Sequence, residues 1–363
     1  MIYRSWYIFN VLTFIILISN IIILNSRPMP IIADGKIGFI DSTGQLIIQP
    51  QYSSYIEFTN FKYRNKKIKS FNLPKQAYFN EGYASLLKAD VLWFIVIAYD
   101  NIIINENGHT SCNMGGIKHG QYSDGLIAMV AKNRGLRDDF IYYNYCDNRG
   151  YDIISIPFRY AGPFVNGRAL VLKDDNFSYI DKTGTFINKS TYSRAESFSE
   201  DLAAVMVDDK WGFINRDGEM AISPQFVRAQ SFSDGMARVM DGKAFGFIDK
   251  NGKLIIDYKF VSANEFSEGY ASVSDADGYK GFIDKEGNWT FKDRYLSVGN
   301  FKQGLAPVDY NGKFGYVDYK GNFVIQPQYD FAEDFLNGFA KVYYNDKLHY
   351  INMKGEVIWT FDL

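Results

Sequence analysis

Residues 210–226 read KWGFINRDGEMAISPQF, and the spacing within this stretch decides the fold. Trp211, Phe213 and Ile214 make a short apolar run. Asn215 and Gly218 then stand at the first and fourth places of a four-residue turn. An Asn or Asp at the first place caps the backbone with its side chain, and Gly at the fourth accepts the left-handed conformation that closes a hairpin. The stretch therefore predicts a strand a before the turn and a strand b after it, with Pro224-Gln225-Phe226 leaving the hairpin. Gly212 is expected to make room for a neighbouring sheet.

Working outward, the same turn recurs at Asp41/Gly44, Asn105/Gly108, Asp147/Gly150, Asp181/Gly184, Asp249/Gly252, Asp284/Gly287, Asp318/Gly321 and Asn352/Gly355. From Gly150 onward the spacings are 34, 34, 34, 35, 34 and 34 residues. A second turn, at Gly167, Asp201, Gly235, Gly269, Gly304 and Gly338, follows each partner by 17 residues. A period in this range announces a tandem array rather than conventional domains. A strand c (YASV, LAPV, FAKV) follows the second turn and returns through a short polar turn to strand a. Each unit thus reads as a three-stranded antiparallel meander of c, a and b. Strand a is apolar on both faces, so neighbouring units must cover it.

The array reads as opening with strands a and b at residues 38–52 and closing with a and b at residues 350–361. A ring closed by strand exchange would need a strand c from the C-terminus, and none is there. The expectation is an all-β, open superhelical array of ~34-residue repeats, with a closed propeller-like ring as the alternative. Residues 36–140 form an irregular part with insertions and residues 141–363 a regular one.

KWGFINRDGEMAISPQF, FGFIDKNGKLII and FGYVDYKGNFVIQPQYDFAEDF resemble the WG (or KWG) β-repeats of bacterial proteins. The resemblance covers about residues 36–363 and is most specific from 141 onward. Trp-Gly itself occurs once, at Trp211-Gly212; other units carry Phe245-Gly246, Phe314-Gly315 or Lys280-Gly281. The resemblance implies a β-repeat scaffold, often exported or joined to other modules, without catalytic residues to carry over.

Composition agrees with a packed, non-basic protein. The chain has 363 residues, 47% of them hydrophobic and 17% aromatic, with a formal net charge of −2. That is too rich in core-forming side chains for disorder, and gives no global reason to expect nucleic acid as partner. Trp6 to Leu24 is a 19-residue segment whose polar members are Asn10, Thr13, Ser19 and Asn20. As a helix it would span roughly 28 Å, close to the hydrocarbon thickness. Residues 1–27 therefore read as a single-pass membrane anchor with the repeats outside the cytoplasm. A cleaved signal, leaving a secreted or periplasmic protein, is the alternative.

Candidate chemistry is sparse. The aromatic column Tyr52, Phe158, Tyr192, Phe226, Phe260, Tyr295 and Tyr329, and a second one through Phe164, Phe198, Phe232, Phe266, Phe301 and Phe335, recur in every unit and so read as packing positions. Trp211, Gly212, Gly218, Phe226, Phe232 and Gly235 are taken as structural repeat positions for the same reason. Asp124, Asn166, Asp234, Glu268, Gln303 and Asn337, each before a second-turn Gly, suggest turn chemistry rather than a calcium ladder, which needs a denser set of oxygens. His109, Cys112 and His119 lack the paired spacing of a metal site. Cys146 sits at an Ile position of its unit, and a Cys112–Cys146 disulfide is left open. No G-x-S-x-G, P-loop or H-E-x-x-H occurs, so no enzyme and no cofactor is expected. The binding candidate is the basic insertion FKYRNKKIKSF, with Lys62, Arg64, Lys66, Lys67 and Lys69. Its default reading is a solvated loop, and its sharper one contact with anionic lipid or an acidic partner. The functional expectation is an anchored scaffold that binds a protein, peptide or envelope component. The alternatives are a pure spacer and a glycan-binding or glycan-active protein.

Overall fold

The computed structural model describes residues 28–33, 36–52, 57–63, 66–72, 83–92, 95–105, 110–115, 122–130 and 142–361, and side chains at 28–33, 36–51, 122–129 and 142–361. Every regular element among them is a β strand. No helix among the described residues is long and apolar enough to cross a membrane; Trp6–Leu24 lies outside them.

The unit at residues 228–260 shows the pattern. A two-residue lead strand, Arg228–Ala229, pairs with strand c, Ala237–Met240; c pairs with a, Phe245–Ile248; a pairs with b, Leu254–Phe260. All pairings are antiparallel. The units at 262–293, 297–329 and 331–361 repeat this four-stranded order. The sequence reading had three strands. The lead strand was hidden because it is only two residues long and shows no period of its own.

The turns form as the residue types require. In the unit containing Trp211, Asn215 Oδ1 accepts hydrogen bonds from the backbone N–H groups of Asp217 at 3.0 Å and Glu219 at 2.9 Å. Gly218 closes that turn at φ +81°. Gly212 serves a different purpose from the one its position suggested. A Cβ there would stand 2.6 Å from the Ile222 carbonyl oxygen and 2.8 Å from the Pro224 nitrogen. The strand it makes room for is therefore its own b strand, which bulges across it where the register shifts between Trp211 and Phe213. Gly38 and Gly315 are crossed the same way by Pro50 and Pro327.

Cores lie between sheets, one per junction. Trp211, Phe213, Ile222 and Phe226 pack against Ala237, Val239 and Ile248 of the next unit. Ile214, on the opposite face of the same strand, joins Leu170, Tyr179 and Tyr192 of the preceding one. Phe226 and Phe232 are buried in this stack with the other described members of their columns. Where strand a carries Tyr in place of Phe213, its hydroxyl donates to a backbone carbonyl 17 residues on. Tyr145 reaches Gly162 at 2.6 Å, Tyr179 reaches Glu196 at 2.6 Å and Tyr316 reaches Glu333 at 2.8 Å.

The first sheet departs from the sequence reading. Met29–Ala33 is a full strand c, paired with Lys36–Ile40, which pairs with Leu46–Tyr52. No second-turn Gly introduces MPIIA, so the turn spacing does not mark it as a strand c. With this strand present in the first unit, the lack of a C-terminal strand c no longer favours an open array. This sheet packs on the last one: Met29, Ile31 and Ile40 share a core with Leu348, Tyr350 and Phe361. The Tyr350 hydroxyl donates to the Pro30 carbonyl at 3.2 Å.

Candidate functional site

Repeated polar contacts tie each unit to the next. Ser199, Ser233 and Ser267 each donate through Oγ to a Phe carbonyl of the following unit (Phe232, Phe266 and Phe301), all at 2.7 Å. The residue before the second-turn Gly, or before Asp201 in its place, accepts from the following unit's Gly N–H: Glu200 from Gly235 at 2.9 Å, Glu268 from Gly304 at 2.8 Å, Gln303 from Gly338 at 2.7 Å. Asp124 and Asp234 accept likewise from Gly167 and Gly269. Lysines complete the clamp, Lys250 on Glu200 at 3.2 Å and Lys285 on Asp234 at 2.9 Å. These residues have positive φ, so they are turn formers, and their side chains are inter-unit ties as well. Burial raises the Asp234 carboxyl, but its hydrogen bond to Lys285, the Gly269 N–H and the lysine charge together hold it below the ordinary carboxylate range.

Against this regular frame, one pair of columns varies. In three units a lead-segment side chain reaches one from strand c. Arg238 donates to Gln230, Asn264 Nδ2 donates to Ser272 Oγ at 2.9 Å, and Lys341 pairs with Glu333 at 3.1 Å. In the unit at 297–329 the same positions are Gly299 and Pro307, joined only through backbone, Gly299 N–H to the Pro307 carbonyl at 2.8 Å. A groove of about 650 Å³ lies between this unit and the last. Its lining includes Val298, Lys302, Phe331, Asp334, Leu336 and Met29, the last contributed by the first sheet. A smaller cleft of about 230 Å³ shares the Ser297–Val298 wall and is lined by Ser262, Ser274 and Lys280.

The groove's charged groups are Lys302, Glu333, Asp334 and Lys341, of which the half-buried Asp334 is the most perturbed. Asp334 Oδ1 accepts from the Asn300 backbone N–H at 2.9 Å. Burial nonetheless pushes its carboxyl above the ordinary range, against the Asn300 hydrogen bonds and the Lys302 charge. Leu336, 52% exposed, stands at the rim. The lead strands Ser297–Val298 and Phe331–Ala332 are sheet edges, each paired on one side only within its sheet. The arrangement offers an apolar floor, two sheet edges and a few fixed polar groups. It holds no catalytic constellation, and no three His, Cys, Asp or Glu among the described residues are grouped to hold a metal.

The sequence candidates fall elsewhere. The basic insertion is a hairpin, Glu57–Tyr63 with Lys66–Asn72, in which Lys62 lies opposite Lys67, Tyr63 opposite Lys66 and Asn60 opposite Lys69. Arg64 lies outside the described residues. Cys146 is buried, and its thiol lies 3.1 Å from Asp152 Oδ1, which accepts its hydrogen bond. His109, His119 and the Cys112 side chain lie outside the described residues. The groove was absent from the sequence reading, although its signal was present: Gly299 and Pro307 break two columns that the neighbouring units fill.

Fold and site together define a β-repeat protein whose units are held by repeated ties and whose variation gathers in inter-unit grooves. The chain belongs to the WG containing repeat family, whose model matches residues 37–62, 177–211, 211–243, 245–279, 281–314 and 314–347. No curated protein matches it. Among solved structures, a eukaryotic initiation factor superposes with a TM-score of 0.60 at 8% identity, covering 93% of this chain and 96% of that one. AztD from Citrobacter koseri gives a TM-score of 0.40 at 12% identity, covering 82% of this chain and 92% of that one. BamB from Moraxella catarrhalis gives 0.39 at 10%, covering 68% and 85%.

Proposed function

We propose that the chain is a closed β-repeat ring that binds an extended segment of a partner protein in the groove between its last two units. The observation that carries this reading is the groove itself, which opens between the last two units where Gly299 and Pro307 stand in place of the side-chain pairs seen in three other units. A packing position repeated in every unit serves the stack, so a position where the pattern is broken and a groove opens is where binding is expected. An apolar floor flanked by fixed polar groups suits an extended segment with alternate apolar side chains.

Closure is supported by the junction between first and last sheets. Leu348, Tyr350 and Phe361 meet Met29, Ile31 and Ile40 in the positions where Trp211, Phe213 and Phe226 meet Ala237, Val239 and Ile248. Trp6–Leu24 is proposed to anchor the ring in a membrane with the repeats outside the cytoplasm. Extraction of full-length protein by alkaline carbonate would sink that part.

The binding reading is tested by selecting random dodecapeptides on display phage against the full chain. Selected peptides are then compared on the Lys302→Glu/Leu336→Arg variant, whose changes sit at the groove rim. At least a tenfold loss of affinity is expected. Equal binding by the variant would place the site elsewhere, and a selection that yields no peptide would refute peptide binding.

A further inference from the structure

Met29 lines the groove, yet it is separated in sequence from the rest of the groove's lining by nearly the whole chain. Three contacts seat its sheet on the last unit. First, the Tyr350 hydroxyl takes the Pro30 carbonyl. Tyr145, Tyr179 and Tyr316 bond a carbonyl 17 residues onward, in the lead segment of the next unit; for Tyr350 the partner is a carbonyl of the first strand. Second, a Cβ on Gly44 would stand 2.7 Å from Ile358 Cγ2. Gly252 and Gly355 meet Ile222 and Ile325 of the unit before them, at 2.9 and 3.1 Å; Gly44 meets its partner strand one register place earlier, since Trp359 pairs where Ile222 and Ile325 do. Third, Asn337, at the clamp position of the last unit, turns its amide to Met29 Sδ at 3.6 Å. The first strand thus holds the place a following unit would hold.

We infer that the strand Met29–Ala33 is a latch: it shuts the ring and, by supplying Met29, completes the binding groove, so that groove shape depends on latch state. This rests on the closed-ring reading and goes beyond it by naming what regulates the site. The latch differs from internal junctions in one physical respect. No peptide bond links its two sides locally, so its opening is opposed by the contact surface alone, whereas an internal junction is also tethered by a loop. It is the junction where the ring should open first. A ligand that needs Met29 in place would hold it shut by mass action.

The test uses the full chain with Cys112→Ser, Cys146 being buried from labelling reagents. Nitroxides at Thr43→Cys and Lys354→Cys span the latch; nitroxides at Lys320→Cys and Lys354→Cys span an internal junction between equivalent turns. A separate acrylodan label at Leu336→Cys reports water in the groove. Both spin-label pairs should give narrow, similar distance distributions. Tyr350→Phe combined with Ile31→Ala should broaden only the latch pair and shift acrylodan emission to the red. Tyr350→Phe alone, which keeps the ring and loses one hydrogen bond, should do so to a smaller degree. A broad latch distribution in the unsubstituted background overturns the inference. So does a latch pair that stays narrow in both variants, or one that broadens without any emission shift. No ligand enters either readout, so failure to find a binding peptide would sink the binding reading and leave the latch standing.

Discussion

Replacing Gly44 by Ala separates a closed ring from an open array by energy alone. Gly44 has φ +87° and Gly235 has φ +82°, so Ala pays a similar left-handed penalty at each, about 1–2 kcal/mol. At Gly235 nothing lies within 4 Å of the added Cβ, so the penalty is the whole effect. At Gly44 the Cβ would lie 2.7 Å from Ile358 Cγ2 and 3.0 Å from the Ile358 carbonyl oxygen. The methyl group can swing aside; the backbone carbonyl moves only with its strand. Overpacking of this kind adds about 1–3 kcal/mol. Gly252→Ala is the internal standard, because its Cβ would meet Ile222 Cγ2 at 2.9 Å across a junction within the array. Urea unfolding followed by tryptophan fluorescence should therefore rank Gly235→Ala as mildest, with Gly44→Ala beside Gly252→Ala and about 1–3 kcal/mol worse. If Gly44→Ala falls within about 0.5 kcal/mol of Gly235→Ala, no unit packs on that turn, and the closure argument is wrong.

Two further predictions concern pH. Because the folded pKa of Asp234 is depressed, its contribution is present above the ordinary Asp value and disappears as pH falls through the folded value. Asp234→Asn should thus lower the urea midpoint slightly at neutral pH, by no more than a surface ion pair's ~0–1 kcal/mol, and should lose that difference in acid; a pH-independent difference would show that the clamp is not electrostatic. Asp334 has the opposite sign, since burial raises its folded pKa: its stabilising contribution is present below the ordinary Asp value and is lost as pH rises through the folded one. Asp334→Asn, which can still accept from the Asn300 N–H, should gain on the parent protein as pH rises from the carboxylate range toward neutrality; a loss there would mean the ionised carboxylate is needed.

What the sequence disclosed, and what it withheld, follow from how each feature is encoded. Asn215 and Gly218 were legible because a turn is a local demand: one side-chain cap and one left-handed residue at fixed spacing. The two-faced character of strand a was legible because Phe213 and Ile214 are adjacent, and adjacent strand residues face opposite ways. The lead strand was not, since two residues carry no period. Nor was the role of Gly212, because the Pro224 bulge that crosses it is a register event between strands. Met29–Ala33 was missed for a related reason. A strand c is recognised by the second-turn Gly before it, and MPIIA has no Gly there.

The groove is the instructive omission, because its residues were visible and its cause was not. Gly299 and Pro307 are eight positions apart, as are Gln230 and Arg238, Asn264 and Ser272, and Glu333 and Lys341. Only the pairing of lead segment with strand c shows that each such pair is one contact in the groove wall. The double variant Gly299→Asn/Pro307→Ser imports the Asn264–Ser272 pair. Replacing Pro307 frees the place its ring takes beside Gly299, but Asp334 Oδ1 must still give way to the added Cβ, so stability should fall by no more than about 1–3 kcal/mol. In the same protein, the affinity of any peptide selected on the parent chain should fall. If peptide affinity is kept, the space is a packing defect that the fold tolerates, and the binding site must be sought elsewhere.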